Sequence, residues 1–519
     1  MRDDLPELSA EVCARLREAF HQARYDADGV VDLLGDAAHA ALGRDEPEPA
    51  FQATAGSGPL GTLIRLFLLD AVESRATAAH ALAPLPVDDA LAAGVLRTCA
   101  DGVRAGLDIR PHADQQGSWW VVSDRDSRAG TPVGREYVVG VGQAALSLVR
   151  ATAREPAGTF CDVGTGNGIQ ALHASRHAAT ITATDISARA LALARGTFLL
   201  NEVDVELLRG SWFTPLARRT FDQVVCNPPF VAGPPRVEYT YRDSGLAGDE
   251  ASALVTRQLP AFLTEGGTGH LLATWLHVQG EDWTERVASW LPPGIDAWFV
   301  QRDVADPPLY VSTWLRDAGI DPASAEGRAA TRAWLDWFST ERVDGIGFGF
   351  VTLRRIAEGG DTTAEPTVVC EDLRHAYDDP LGEEATRWLA RVAWLRDTPN
   401  LLAVTYTVPP SVVLEQVCEQ GSQGWAPAIR RLHRTDGPGW QHELDELAAA
   451  LLAGCQGALP LSDLLELLAA AHGEPTDSLV AGALPIVREL ILHGMLLPVE
   501  LAGASGQHDP FTAGTQRGE

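Results

Sequence analysis

The middle of this 519-residue chain predicts an α/β fold with a parallel sheet, flanked on each side by a smaller helical, winged-helix-like domain. Strand-like apolar runs alternate with helical patterns between residues 130 and 357, which is typical of a parallel sheet with helices on both faces. The flanks instead carry apolar residues at helical spacing, followed by short strand-like runs. The length exceeds what one hydrophobic core supports, so about three domains are expected.

The N-terminal flank, residues 1–125, is predicted to be helical with a β-hairpin near its end. Ser9 is placed to cap the first helix, which ends near Tyr25. The remaining expected elements are helices Leu60–His80 and Pro86–Ala105, and strands Gly106–Arg110 and Ser118–Ser123. Helices followed by a hairpin suggest a winged-helix-like domain, a shape that binds DNA in many proteins and serves as a substrate or partner platform in others.

A polar joint at 124–131 leads into the central domain, residues 130–357. Its seven candidate strands are Thr159–Val163, Thr180–Thr184, Val205–Leu208, Phe221–Cys226, Gly269–Thr274, Ala297–Val300 and Ile346–Leu353, the last of which would close the sheet. The helices between them are Ile169–His177, Ser187–Leu200, Glu250–Leu263 and Trp283–Leu291. A mostly helical insertion is expected at about 306–343.

The C-terminal flank, residues 366–500, follows a polar linker at 358–366. Its expected elements are a strand at Leu401–Thr407, helices Glu443–Cys455, Leu461–His472 and Asp477–His493, and a final apolar run at Met495–Val499. Three helices with strands again predict a winged-helix-like α+β unit. The tail, residues 501–519, is rich in Gly, Ser and Thr and is expected to be disordered.

The charge balance restricts the possible partners. The formal net charge is -29, and the chain contains no lysine, so no lysine can act as a base, a Schiff-base former or a phosphate ligand. A strongly acidic surface opposes tight non-specific binding to nucleic acid, because phosphate contacts need clustered positive charge. A local arginine patch remains possible.

Membrane and metal sites are not expected. No run of about 18 apolar residues is present, and the acidic N-terminus lacks the pattern of a signal peptide, which predicts a cytoplasmic protein. The seven cysteines are dispersed without a C-x-x-C pair, so they are expected to be reduced thiols. The fourteen histidines show no H-E-x-x-H spacing, so no metal is predicted.

A glycine-rich loop follows the first predicted strand. It reads Asp162-Val-Gly164-Thr165-Gly166-Asn-Gly168, and glycines there permit a tight turn and close approach of a ligand to the backbone. The spacing differs from the G-x-G-x-x-G of dinucleotide folds. A glycine-rich turn without a ligand is the alternative.

Polar residues also follow the next two strands. Asp185 could accept hydrogen bonds from ribose hydroxyls, or it could cap the helix that begins near Ser187. Ser211, in the loop Arg209-Gly-Ser-Trp-Phe213, could reach an adenine edge, unless Trp212 and Phe213 only pack under the sheet. These loops meet the glycine loop at one edge of a doubly wound sheet.

The fourth strand ends at Asn227-Pro228-Pro229-Phe230. Two prolines remove backbone donors and stiffen the turn. The Asn227 side-chain oxygen and the Pro228 carbonyl could accept both N–H bonds of a planar nitrogen, while Phe230 stacks on the flat group. Positioning of this kind can contribute several kcal/mol, up to about 7–11.

Together these motifs resemble class I S-adenosylmethionine-dependent methyltransferases of the amino-methylating branch, over roughly residues 130–300. The motifs are similar to those of the release-factor glutamine methyltransferases and the small-domain ribosomal RNA guanine methyltransferases, and the whole chain resembles an actinobacterial three-domain form. The resemblance implies a Rossmann-like seven-stranded domain and S-adenosylmethionine as the cofactor. It implies cofactor contacts at Asp162, Gly164, Thr165, Gly166, Gly168, Asp185, Ile186, Ser211 and Asn227. It implies catalytic contacts at Asn227, Pro228, Pro229 and Phe230.

Two segments bear on the substrate. Residues 131–140 lack the P-R-P-E-T-E run of the glutamine enzymes, whereas residues 241–249 are similar to their glycine-rich loop. The expected activity is N-methylation of a planar nitrogen, in either a protein glutamine of a release-factor-like partner or an adenine or guanine of RNA or DNA. The alternatives are an NAD-dependent oxidoreductase, or a non-catalytic adaptor that binds the cofactor while its flanks bind DNA.

Overall fold

The computed structural model of the chain describes residues 5–125, 134, 136–235, 242–357, 365–374, 381–421 and 424–502. The chain forms two compact units. The first comprises residues 1–149, 154–361 and 368–372, and the second comprises 150–153, 362–367 and 373–519. Most of the expected tail, of the joint and of the linker lies outside the described residues, whereas residues 501 and 502, which were expected to belong to the tail, are helical. The three-domain division and the winged-helix-like shape of the flanks stay predictions.

The first unit begins with helices and two hairpins. The helices are α1 (Ala10–Ala23), α2 (Ala27–Leu42), α3 (Glu48–Thr54), α4 (Gly58–Phe67), α5 (Arg75–Leu82) and α6 (Val87–Ala92). The hairpins are β1 (Leu96–Cys99) with β2 (Gly102–Ala105), and β3 (Asp108–Asp114) with β4 (Gly117–Ser123). The predicted cap is confirmed, because Ser9 Oγ accepts a hydrogen bond from Val12 N at 3.2 Å.

Two predicted N-terminal helices are wrong in extent. The helix expected over Leu60–His80 is interrupted where Asp70 adopts a positive φ of 55°, and Ser74 caps a new helix, α5. The helix expected over Pro86–Ala105 ends at Ala92, and Gly94 then adopts a φ of 80°. The rest of that stretch forms the β1–β2 hairpin, because Asp101 and Gly102 at its centre are residues that favour a turn.

An eight-stranded sheet forms the core of the first unit. Its strands are β5 (Ala157–Val163), β6 (Ala178–Asp185), β7 (Glu206–Arg209), β8 (Phe221–Cys226), β9 (Leu263–Val278), β10 (Ile295–Ala305), β11 (Val343–Arg355) and β12 (Val368–Asp372). The strand order is β12-β10-β11-β9-β8-β5-β6-β7. All neighbouring pairs are parallel except those that β11 makes with β9 and β10.

This topology confirms the predicted α/β class and adds an eighth strand to the seven expected. The last predicted strand, β11, does not close the sheet but lies inside it, between β9 and β10. The added strand β12 forms the edge and comes from a stretch beyond residue 357. Its neighbour β10 is parallel to it, so its backbone groups are paired on one side.

Helices and 3₁₀ turns cover the sheet and its edges. They are α7 (Gln143–Ala151), α8 (Ile169–Ala174), α9 (Ala188–Asn201), α10 (Glu250–Gln258), α11 (Trp283–Ala288), α12 (Pro307–Asp317) and α13 (Ala325–Thr340), with 3₁₀ turns at Thr214–Leu216 and Leu259–Phe262. The predicted helical insertion consists of α12 and α13. It packs on its own apolar cluster with the end of β9, around Leu276, Tyr310 and Phe338.

The second unit combines helices with two three-stranded sheets. Its elements are α14 (Leu381–Asp397), β13 (Thr405–Thr407), β14 (Val412–Gly421), β15 (Gly424–Arg434), β16 (Gln441–Glu443), α15 (Glu446–Gly454), β17 (Gln456–Pro460), α16 (Leu461–His472), α17 (Thr476–Leu492), β18 (Leu497–Pro498) and α18 (Val499–Ala502), after a 3₁₀ turn at Leu401–Ala403. The sheets are β17-β13-β18 and β14-β15-β16. None of the helices within the described ranges combines the length and the apolar character that crossing a bilayer requires.

Candidate functional site

A cavity of about 690 Å³ opens at the carboxyl ends of the parallel strands of the first unit. The chain runs outward from β5 through β6 to β7 and then returns to β8 on the other side of β5. Ligands of open α/β sheets bind where the strand order reverses in this way. The predicted residues that line the cavity are Gly164, Thr165, Gly166, Asp185, Ile186, Ser211, Asn227, Pro228, Pro229 and Phe230.

The glycine loop lies flat against the end of β6. The backbone N–H groups of Gly164 and Thr165 both donate to the carbonyl of Thr184 at 2.9 Å. Gly164 and Gly166 adopt φ values of 79° and 56°, which glycine tolerates best. A Cβ on Gly166 would meet no protein atom within 4 Å, so the space beside it is available to a ligand.

Two of the predicted contact residues do not line the cavity. Asp162 is buried beneath the loop, where it accepts a hydrogen bond from Thr165 Oγ1 at 2.6 Å. Burial raises the pKa of the Asp162 carboxyl to about 7. Gly168 is the N-cap of α8 with a φ of 90°, and a Cβ there would lie 2.7 Å from Phe198 Cζ. Both residues therefore shape the loop from behind.

The Asp185 carboxylate connects the loops. Its oxygens accept from Gly166 N at 3.0 Å and from Ser187 N at 2.8 Å. The helix cap is supplied by Ser187, whose Oγ accepts from Arg189 N and Ala190 N, so Asp185 is not needed for that role. Burial raises the pKa of the Asp185 carboxyl, although these backbone hydrogen bonds act in the opposite direction. Each oxygen keeps further lone pairs for a ligand.

The loop after β7 divides between the cavity and the core. Gly210 N donates to the carbonyl of Asp185 at 3.0 Å, which brings Ser211 and Trp212 to the cavity wall. Trp212 adopts a positive φ of 49°. Phe213 is buried and stacks on Phe262 with ring centroids 4.8 Å apart. The packing alternative therefore holds for Phe213 and in part for Trp212, which packs against the core and also lines the cavity, while Ser211 lines the cavity.

The Asn227–Phe230 loop contains an unsatisfied acceptor. Asn227 Oδ1 is buried, and no described residue donates a hydrogen bond to it. The rest of the loop is firmly held, because the Phe230 carbonyl accepts from Thr274 Oγ1 and Ala232 N donates to Tyr310 Oη, both at 2.7 Å. A buried acceptor without a partner costs free energy, and at a cavity wall it indicates a ligand donor.

Phe230 has aromatic neighbours on two sides. Its ring centroid lies 5.5 Å from that of Phe348 on β11 and 6.1 Å from that of Trp314 on α12. Trp314 and Phe230 both line the cavity. The helical insertion therefore supplies part of the wall beside the loop.

A segment before α7 forms another part of the cavity wall, and it belongs to the stretch 131–140 that the sequence analysis linked to the substrate without naming contact residues. Residues 136–140 line the cavity and are tied to the glycine loop, because Asn167 Nδ2 donates to the carbonyl of Val139 at 3.0 Å. Gln170 Nε2 donates to the carbonyl of Ala145 at 2.8 Å. The sequence feature that could have indicated this contact is Asn167, an amide side chain among the loop glycines. Arg135 and Tyr241, in the two segments that bear on the substrate, lie outside the described residues.

Arg242, which belongs to the substrate-related segment 241–249, connects that segment to the helical insertion. Its guanidinium is largely buried and donates to the carbonyl of Trp314 at 3.0 Å and to Asp317 Oδ2 at 3.1 Å. Arg242, Asp243 and Asp317 all line the cavity. Sequence reasoning missed these residues, since Asp317 lies in an insertion far along the chain.

Three parts of the chain match described protein families. Residues 140–242 match the family described as methyltransferase small domain. Residues 22–106 and 386–498 match two families described as domains of unknown function (DUF7059 and DUF7782). Residues 140–242 are therefore similar to the methyltransferase small domain family, and the predicted resemblance is confirmed for that segment.

Individual relatives cover only part of the chain. A release factor glutamine methyltransferase of Bordetella pertussis is 32% identical over an alignment of 160 residues, and the match covers 28% of this chain and 56% of the relative. A ribosomal protein uL3 glutamine methyltransferase of Bradyrhizobium diazoefficiens is 33% identical over 141 residues, 25% of this chain and 43% of the relative. This chain thus spans about half the length of these relatives.

Solved structures show weaker likeness. A SAM-dependent methyltransferase from Thiobacillus denitrificans, in complex with S-adenosyl-L-homocysteine, is 16% identical. The match covers 41% of this chain and 90% of that one, with a TM-score of 0.23.

Proposed function

We propose that this chain is an S-adenosylmethionine-dependent N-methyltransferase that modifies a planar amide or exocyclic amine nitrogen. The observation that carries the proposal is the buried Asn227 Oδ1, which lacks a donor among the described residues at the wall of the cavity. An N–H group of a substrate would satisfy this acceptor. The methyltransferase small domain in residues 140–242 supports the choice of reaction.

The residues at the first three strand ends fit the cofactor. Gly166 leaves open space for a ligand, and the Asp185 carboxylate keeps lone pairs for ribose hydroxyls. Gly164, Thr165, Gly166, Asp185, Ile186 and Ser211 would hold the cofactor directly, with Asp162 and Gly168 supporting the loop. Bound S-adenosylmethionine supplies an electrophilic methyl group on a sulfonium.

The chain's own residues orient the acceptor nitrogen. An amide or base amine is a poor nucleophile because its lone pair is delocalised into the adjacent π system. Asn227 Oδ1 and the Pro228 carbonyl accept its two N–H bonds and hold the plane of the group, while Phe230 covers its flat face. Such positioning can lower the activation free energy by several kcal/mol, with an upper value of about 7–11 kcal/mol. The proton released after transfer passes to water or a nearby acceptor.

A protein glutamine is the favoured substrate. Relatives named as release factor and ribosomal protein glutamine methyltransferases match the catalytic segment. The net charge of -29 disfavours contact with nucleic-acid phosphates. An adenine or guanine of RNA or DNA is the second candidate, because the same clamp fits an exocyclic amine.

The test is methyl transfer from radiolabelled S-adenosylmethionine to a lysate of the host, split between protease and nuclease treatment. We expect label that protease releases and nuclease does not. If nuclease removes the label, the substrate is a nucleic-acid base and not a protein glutamine. No transfer at all, with NADH but not S-adenosylhomocysteine raising the melting temperature, would contradict the methyltransferase function and favour an oxidoreductase.

Asn227→Ala separates binding from chemistry. It removes the substrate acceptor and leaves the glycine loop intact, so we expect transfer to fall at least about 100-fold. Affinity for S-adenosylhomocysteine, measured by calorimetry, should stay within a few-fold of the wild type. If transfer is unchanged, Asn227 has no part in the reaction. Absence of transfer in both proteins would favour a non-catalytic adaptor.

A further inference from the structure

Three potential metal ligands from distant parts of the sequence converge in the second unit. His442 lies on β16, Glu489 lies in the last turn of α17, and His493 is the C-cap of that helix. One ligand atom from each residue lies within 4.8 Å of the others. We propose that His442, Glu489 and His493 form a binding site for a divalent transition-metal ion of the zinc type, independent of the methylation site.

The ligand types select the ion. Two imidazoles and one carboxylate form a ligand set that zinc uses with a water molecule in the fourth position. Imidazole nitrogen favours zinc and its transition-metal neighbours over magnesium or calcium, which prefer oxygen. Glu489 and His493 are four residues apart, so both side chains project from one face at the end of α17.

The distance between the imidazoles fits a metal-free form of such a site. His442 Nε2 lies 2.7 Å from His493 Nδ1, a separation that one shared proton bridges. Two nitrogens bound to one tetrahedral zinc ion lie about 3.3 Å apart, so the rings would separate by about 0.6 Å to admit the ion. A metal ion would then replace the shared proton. The Glu489 side chain is 59% exposed, which leaves a path of entry from solvent.

Neighbouring residues hold the histidines in position. Trp440 is buried and stacks on the His493 ring, with centroids 4.4 Å apart and planes within 10°. Arg434 Nη1 donates to the His493 carbonyl at 3.0 Å. The charge of Arg434 is balanced by Glu384 and Asp436, at 3.0 and 2.9 Å. Support of this kind orients metal ligands before the ion arrives.

The site would join two elements of the second unit. β16 is the third strand of the sheet that carries the exposed β14–β15 hairpin, and His442 pairs with Leu432 of β15. A metal ion held by His442 and by the end of α17 would fasten the base of this hairpin to the helix. Its consequence is structural, which agrees with the absence of these residues from the cavity lining.

The test is a zinc titration of the full-length, tag-free chain after chelator treatment and dialysis, in competition with a chromophoric chelator. We expect one tight equivalent for the wild type. His442→Ala and His493→Ala should lose it, and Glu489→Gln should bind at least tenfold more weakly. His472→Ala, which removes an exposed histidine at the end of α16, is the matched control and should bind as the wild type does.

Glu489→Gln also protects the test against misfolding, because this side chain is largely exposed and the substitution keeps its size. A second readout is thermal stability, since zinc should raise the melting temperature of the wild type and of His472→Ala but not of His442→Ala. Zinc uptake that is absent in the wild type, or equal in all four variants, would overturn the proposal. Full affinity in Glu489→Gln would overturn the three-ligand assignment.

Discussion

Asp162 shows how one buried group couples the cofactor loop to pH. Its carboxyl lies under the loop and burial raises its pKa from 3.8 to about 7, with the hydrogen bond from Thr165 acting in the opposite direction. Between these two pH values the folded state holds a proton that the unfolded state has released. The contribution of Asp162 to the free energy of unfolding is therefore full below about pH 4 and is lost as pH rises through 7.

Asp162→Asn tests this linkage. Asparagine cannot ionise but keeps an oxygen that can accept from Thr165 Oγ1, so the loss of stability with rising pH should be smaller in the variant. The measurement is the free energy of urea unfolding of both proteins between pH 5 and 8. We expect the difference to favour the variant increasingly as pH rises. Parallel pH profiles would show that Asp162 is ionised in the folded state across this range.

The loop glycines differ in what surrounds them. Gly168→Ala places a methyl group 2.7 Å from Phe198 Cζ at a φ of 90°, so it should destabilise the fold by about 1–3 kcal/mol. The methyl group that Gly166→Ala adds meets no protein atom within 4 Å, so this variant should lose only about 1 kcal/mol of stability. The Gly166 variant should instead lose at least tenfold in affinity for S-adenosylhomocysteine. Denaturant unfolding and calorimetry separate the two, and equal losses of stability would contradict the distinction.

At the scale of single residues, the sequence predicted those that form continuous motifs. Gly164, Asp185 and Asn227 could be found because each follows a strand directly, and the ends of parallel strands meet at one edge. Arg242 and Asp317 could not, because their contact depends on how the insertion packs. Asp162 and Gly168 lie in the predicted loop but do not line the cavity, and their contact with the cofactor stays a prediction.

At the scale of elements, α12 acts as a support for the substrate loop. Tyr310 Oη accepts a hydrogen bond from Ala232 N, two residues beyond Phe230. Tyr310→Phe leaves this buried N–H without a partner, at a cost of about 1–3 kcal/mol. Because the loop then loses a restraint, we expect methyl transfer to slow while affinity for S-adenosylhomocysteine is unchanged.

Thr313→Val is the matched control for Tyr310→Phe. It removes a hydroxyl from the same helix, but Thr313 is exposed and its hydroxyl donates to the carbonyl of Leu309 within α12. Single-turnover transfer and thermal unfolding should both stay near wild-type values. A loss of transfer equal to that of Tyr310→Phe would mean that α12 acts through its general stability and not through the hydrogen bond to the loop.

The helices and strands with a strong hydrophobic periodicity were predicted best. The strands β5, β6 and β8 were found because they are apolar runs bounded by turn residues, and α16 begins and ends at the predicted residues, Leu461 and His472. The β14–β15 hairpin was missed because most of its residues are exposed, so it lacks the alternation that marks a half-buried strand. The eighth strand of the sheet was missed because β12 is short and follows a polar stretch.

At the scale of the whole molecule, all residues of the proposed cofactor and substrate cavity belong to the first unit. The second unit carries the proposed metal site and the exposed hairpin. The two proposed sites therefore lie in separate units. A ligand of either site should first stabilise the unit that binds it, because a ligand stabilises only the structure it binds.

Hydrogen exchange on the full-length chain can test this separation. Saturating S-adenosylhomocysteine should slow amide exchange in residues 136–145, 163–170, 185–187 and 210–212, since these segments line the cavity or hold its walls by backbone hydrogen bonds. Residues 412–434 and 476–493 should exchange at unchanged rates. NADH is the control ligand and should protect neither set. Equal protection of both units by S-adenosylhomocysteine would show that cofactor binding stabilises the chain as one cooperative body, and no protection of residues 163–170 would contradict the assignment of the glycine loop.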